Sequence, residues 1–216
     1  MKLELTLETL QTEATKFAEI ESGHFEPALF GVNDGKAIGT YLEHKFRAYL
    51  SVGFSFGLGN AALGIDFPGL NVDIKTTSVR QPQSSCPFRS ARQKVYGLGY
   101  HLLVFVYEKT DDHAAMNARL NIRHTIFVDK SRTADFQTTT GILRILDNQG
   151  NSDDLKAFFD ERKLPLDDIQ AETLAEEIRE NRAVEGFLTI SNALQWRLQY
   201  SRVIEKAGQF EGVLRL

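Results

Sequence analysis

The segment Gly64-Ile65-Asp66-Phe67-Pro68-Gly69-Leu70-Asn71-Val72-Asp73-Ile74-Lys75-Thr76-Thr77-Ser78 holds the residue types best suited to chemistry. An acidic residue, one spacer and a lysine is a common pattern, and it occurs five times, ending at Lys36, Lys45, Lys75, Lys156 and Lys163. Context separates the copies. Asp34-Gly35-Lys36 reads as a turn, and the pairs ending at Lys45, Lys156 and Lys163 fall on charged helical stretches. Only Asp73-Ile74-Lys75 sits in an apolar, strand-like alternation with Val72.

Side chains two apart on a strand share a face, so Asp73 and Lys75 project together while Val72 and Ile74 turn to the core. Pro68-Gly69 has the chemistry of a tight turn, and a hairpin there returns Asp66 to the neighbourhood of Asp73. Two carboxylates so placed repel unless a divalent cation neutralises them. Mg²⁺ suits carboxylate and carbonyl oxygens and keeps several waters, one of which can serve as nucleophile. Lys75 is then placed to orient or deprotonate that water, or to stabilise charge growing on a phosphate. The competing reading is an exposed hairpin with an ordinary surface ion pair.

Periodicity supplies the elements that must hold this cluster. Leu7, Leu10, Ala14 and Phe17 mark a helix over residues 5–20, and Ile38, Leu42, Phe46 and Leu50 mark a second over 36–50. Extended segments are expected at 63–67 and 70–76, a loop at 81–88, and a helix capped by Ser90 running to about Leu98. Residues 100–107 and 121–128 read as strands joined by a loop at 110–118. A short helix fits 138–146, and helices fit 153–163, 167–182 and 191–206, the last capped by Ser191. The order predicts an α/β (α+β) fold with a mixed central sheet flanked by helices.

The chain has 216 residues and a net charge of −4, with one cysteine, Cys86. That length suits one domain with a real core, expected as a single catalytic domain with its centre near 36–130 and a helical part near 151–216. A single cysteine excludes an intramolecular disulfide and a multi-cysteine zinc site. No run reaches membrane-span length and no signal sequence opens the chain, so a cytoplasmic protein without membrane contact is expected. Charge is uneven. From Ile74 to Tyr107 there is no Asp or Glu, whereas residues 151–185 hold eleven acidic and five basic side chains. The first stretch fits a polyanion footprint or a solvated face equally well. The histidines show no ligand spacing.

The segment resembles the core motif of the Pro-Asp…(Asp/Glu)-x-Lys nuclease superfamily, and within it the branch of MutH-like nickases and type II restriction enzymes. The matching text is Tyr41-Leu42-Glu43, Gly59-Asn60-Ala61-Ala62, Asp66-Phe67 and Val72-Asp73-Ile74-Lys75-Thr76. It departs from the branch in Ile65, where a proline is usual, and in Asp73, where Glu is usual. The resemblance implies a restriction-endonuclease-like fold, Asp66 and Asp73 as metal ligands, Lys75 as the catalytic lysine and Glu43 as a helix glutamate backing the metal. Glu43 also has a plain alternative, a pair with Arg47 four residues on. Hydroxyls, amides and arginines downstream then become candidate DNA contacts: Thr76, Thr77, Ser78, Arg80, Gln81, Gln83, Ser84, Ser85, Arg89, Arg92 and Lys94. Gln195, Trp196, Arg197, Tyr200 and Arg202 read first as core packing and second as DNA contact.

The expectation is a Mg²⁺-dependent type II restriction endonuclease, with Mn²⁺ as substitute metal, acting on double-stranded DNA and possible as a homodimer. Its rivals are a monomeric nicking or repair endonuclease, a catalytically inactive DNA-binding relative, and a small-ligand α/β domain.

Overall fold

The computed structural model describes residues 2–57, 64–86, 89–191 and 197–216. In chain order the elements are β1 (Leu3–Glu4), α1 (Leu7–Ser22), β2 (Phe25–Glu26), α2 (Gly35–Gly53), β3 (Phe54–Ser55), β4 (Val72–Ser78), β5 (Gln83–Ser85) and α3 (Arg92–Tyr96). They continue with β6 (His101–Asp112), β7 (Asn117–Val128), α4 (Phe136–Asp147), α5 (Ser152–Glu161), α6 (Asp168–Glu180), β8 (Thr189–Ile190), β9 (Arg197–Gln199), α7 (Ser201–Lys206) and β10 (Val213–Arg215). The chain divides into two compact units, one of Met1–Ser84, His101–Val128 and Ala207–Leu216, the other of Ser85–Tyr100 and Asp129–Lys206.

The first unit is built on a five-stranded mixed sheet of order β10-β7-β6-β4, with β2 also on β7. β6 and β7 form a long antiparallel hairpin, and β4 runs parallel to β6 with Asp73 opposite Leu102 and Lys75 opposite Val104. β6 is buried continuously from His101 to Tyr107, as expected of a strand covered on both faces. Helices α1 and α2 cover one face. Their stripes (Leu10, Ala14, Phe17; Ile38, Leu42, Phe46, Leu50) join Val72, Ile74, Leu103, Phe105 and Tyr107 in one core. Phe17, Phe46 and Phe105 meet there with ring centroids 5.0, 5.3 and 5.9 Å apart. The mixed α/β architecture expected from the residues is the one observed.

The second unit is mainly helical. Ala91, Val95, Ile142, Leu155, Phe159, Leu174 and Ile178 form its core. Buried Asp135 accepts from Thr138 N, Thr138 Oγ1 and Ile190 N, tying the start of α4 to β8.

Several local expectations are corrected. Pro68–Leu70 forms a 3₁₀ turn rather than a two-residue tight turn, and Asn71 completes it at φ 55°. Phe67 and Val72 exchange both backbone hydrogen bonds, but as an isolated bridge rather than a full first strand. The strands β6 and β7 extend into the expected loop, to Asp112 and from Asn117, because their polar outer halves pair across the hairpin, as at Thr110–Arg119. A short strand, β5, lies within the stretch expected to be loop. Helix α3 begins at Arg92 without a side-chain cap, so Ser90 is not its N-cap. It stops before Gly97, whose φ of 84° suits glycine and where a Cβ would meet Thr133 Oγ1 at 2.7 Å. Of the helix expected over 191–206, the part at 192–196 lies outside the described residues, Arg197–Gln199 form a strand and Ser201–Lys206 a short helix. Arg197 to Tyr200 alternate exposed and buried, a period of two that a helix cannot have.

Candidate active site

The end of β4 gathers the predicted cluster. Asp73 and Lys75 lie on the strand face opposite Val72 and Ile74, with Lys75 Nζ 2.6 Å from Asp73 Oδ2. Asp66, one residue before the Phe67–Val72 bridge, turns its Oδ2 to accept from Ile74 N at 2.6 Å. That bond makes the loop carboxylate part of the strand's own backbone pattern. It explains how a 3₁₀ turn serves where a tighter turn was expected. Asp66 adjoins both Asp73 and Glu43, and its charge acts on each.

Helix α2 delivers Glu43. Gly39, Glu43 and Arg47 follow at four-residue spacing beside the buried stripe, so they form one line along the helix. At its upper end Gly39 comes close to Thr76 of β4, and a Cβ placed there would sit 3.9 Å from the threonine Cβ. Glu43 makes the pair with Arg47 that was its plain alternative: its Oε1 is 2.8 Å from Arg47 Nη2, and the same nitrogen reaches Asp66 Oδ1 at 2.5 Å. Arg47 is the residue that sequence reasoning missed. Its spacing from Glu43 was legible, but its second partner, 19 residues along the chain, was not.

The electrostatics are those of crowded carboxylates. Burial pushes Asp73 up to about 7; Lys75 pulls it down and Asp66 adds to the rise. Burial and then Asp66 raise Glu43 above the ordinary carboxylate range, with Arg47 opposing. Asp73 Oδ2 is fully buried, and its contact with Lys75 is an ion pair without hydrogen-bond geometry. Among the described residues no three His, Cys, Asp or Glu side chains form a ready metal cage. The carboxylates adjoin pair by pair, with Arg47 and Lys75 among them. A hard divalent cation nevertheless fits this donor set: it is all oxygen, short of positive charge, and includes a buried oxygen lacking a hydrogen bond.

The remaining candidates divide by exposure. Arg80, Gln81, Ser85, Arg89 and Arg92 are exposed, and Thr76, Ser78, Gln83 and Ser84 are half-buried. Thr77 is buried and donates to the carbonyls of Gln81 and Gln83 at 3.2 Å, so it shapes the turn after β4. Within the second unit, Arg92 pairs with Glu177 and lies over the Tyr96 ring, 4.5 Å from its centroid. Lys94 is only 3% exposed; burial lowers its pKa, against the pull of Asp135. Tyr200 is fully buried and Arg202 lies over the Phe136 ring, which bears out core packing for both. Gln195, Trp196 and the stretch Gly59-Asn60-Ala61-Ala62 lie outside the described residues. No described helix is long and apolar enough to cross a membrane.

Comparison with known proteins bears on this arrangement. Residues 4–215 match the family described as type II restriction enzyme NspV. A curated type II restriction enzyme NspV from Nostoc sp. is 62% identical over 210 residues, covering 97% of this chain and 96% of the relative. No solved structure matches. With both matches spanning nearly its whole length, the chain belongs to the NspV family of type II restriction enzymes.

Proposed function

We propose that this restriction enzyme hydrolyses phosphodiester bonds of duplex DNA at a specific site, using Mg²⁺ held by Asp66 and Asp73. Lys75 is the catalytic lysine in this reading, and Glu43 backs the metal site. As a type II restriction enzyme the chain is a DNA endonuclease, and DNA is its substrate. The single observation that carries the site assignment is Asp73 and Lys75 side by side on β4 with Asp66 hydrogen-bonded into the same strand. The same set supports membership of the Pro-Asp…(Asp/Glu)-x-Lys superfamily.

When bound, the cation supplies charge neutralisation at the phosphate and acidifies water. The chain's own groups do the rest. Asp66 is fixed in orientation by Ile74 N, so one oxygen is committed to the backbone and the other is left to the site. Asp73 is held by burial and by its ion pair with Lys75. Lys75 is 18% exposed, enough for its ammonium to orient an attacking water or meet the charge that grows on the phosphate. The resemblance to the Pro-Asp…(Asp/Glu)-x-Lys superfamily implies 5′-phosphate ends. A palindromic target favours a homodimer, with one such site on each strand.

Plasmid digestion tests the reading. Purified protein with Mg²⁺ or Mn²⁺ should give discrete fragments, and none in EDTA. Asp73→Ala and Lys75→Ala should lose cleavage while still binding DNA. Full activity in either variant would sink the assignment, and nicks without fragments would favour the monomeric nicking enzyme.

A further inference from the structure

Arg47 does something the proposed chemistry does not require. One terminal nitrogen, Nη2, lies 2.5 Å from Asp66 Oδ1 and 2.8 Å from Glu43 Oε1, while Nε is buried with no hydrogen-bond partner. An arginine serving only as a structural clamp would normally engage a carboxylate with two nitrogens in parallel. This one puts a single positive point between two carboxylates that repel each other. Asp66 Oδ2 already accepts from Ile74 N, so the oxygen left for a cation is the one Arg47 holds.

We infer that Arg47 is a stand-in cation: it neutralises the Glu43–Asp66 pair while no metal is bound, and a divalent cation must displace its guanidinium from Asp66 to enter. The inference rests on the metal-site reading above. It makes Arg47 a positioning residue that keeps the site assembled between turnovers and sets how tightly metal binds. Removing its charge should loosen the metal-free protein and tighten metal binding together. A unit positive charge about 6 Å from a divalent cation lowers its affinity roughly tenfold even at the dielectric constant of water.

The test measures Mn²⁺ binding by calorimetry and thermal unfolding in EDTA and in Ca²⁺, all without DNA. Arg47→Met and Arg47→Gln should both melt below wild type in EDTA, and both should bind Mn²⁺ roughly tenfold tighter. Arg47→Lys keeps the charge and should stay close to wild type in affinity. Should a neutral variant be unfolded in EDTA, Ca²⁺ should refold it, at a half-saturation raised by the cost of folding. Failure to refold at any concentration would overturn the inference. So would neutral variants that fold but bind Mn²⁺ no tighter than wild type. Wild type with no detectable Mn²⁺ or Ca²⁺ binding would instead overturn the metal-site reading, and this inference with it.

Discussion

A carboxylate buried to 4% exposure beside one lysine is a poor bargain for stability, and Asp73 shows the consequence in its raised pKa of about 7. In the unfolded chain the same group titrates near about 3.9. Between those values the folded protein holds a proton that the unfolded one has released. Metal-free stability from this group is therefore fully present below about pH 4 and lost as pH rises through about 7. Glu43 shifts in the same direction. His124, whose pKa is lowered by burial, works the other way over part of the range, so the comparison must be against a variant. Asp73→Asn should abolish cleavage yet melt higher than wild type in EDTA above pH 7. That gap should narrow as pH falls below about 7 and close only near about pH 4. A gap independent of pH would mean that Asp73 is not held protonated in the metal-free fold.

At the scale of elements, function depends on two short stretches being straight and in register. Helix α2 starts where Asp34 accepts from Lys36 N and Ala37 N, and the fully buried Leu42, Phe46 and Leu50 fix its rotation. That rotation is what aims Glu43 at Asp66. Glu43→Gln should keep the fold but slow turnover by about ten- to a hundredfold, with partial rescue by Mn²⁺, as changes behind a metal site typically do. Turnover at saturating Mg²⁺ equal to wild type would leave Glu43 a partner of Arg47 alone. Phe46→Ala empties the ring cluster that α2 shares with Phe17 and Phe105, and should cost about 3–5 kcal/mol in denaturant unfolding. Both elements were legible because their side chains obey one period throughout: four-residue spacing from Ile38 to Leu50, alternation from Val72 to Lys75. Where a period is short or masked by charge, the sequence misleads. Arg197 to Tyr200 spans too few residues to reveal its alternation, and the outer hairpin pairs Lys109 with Leu120 and Asp111 with Ala118 where no apolar pattern marks a strand. Arg47 was invisible as a shared partner because its contact to Asp66 depends on how the Pro68–Leu70 turn lies against α2, which no local pattern encodes.

For the whole molecule, an acidic enzyme must bind a polyanion, and the stretch from Ile74 to Tyr107, free of Asp and Glu, is the proposed footprint. Burial sorts the basic residues in that stretch. Arg80 and Arg89 are exposed, whereas Lys94 is buried and lies near the charge of Asp135. A phosphate contact releases counterions, so each one lost should reduce the log–log salt slope of binding by about 0.9. Arg80→Ala and Arg89→Ala should each do so, measured with duplex DNA in Ca²⁺ between about 50 and 200 mM salt. Lys94→Ala should leave the slope unchanged and lower the melting temperature instead, because a side chain at 3% exposure acts on folding before it acts on DNA. Unchanged slopes in both arginine variants would mean that those side chains face solvent. A slope reduced by Lys94→Ala with the melting temperature intact would mean that DNA binding uncovers the lysine.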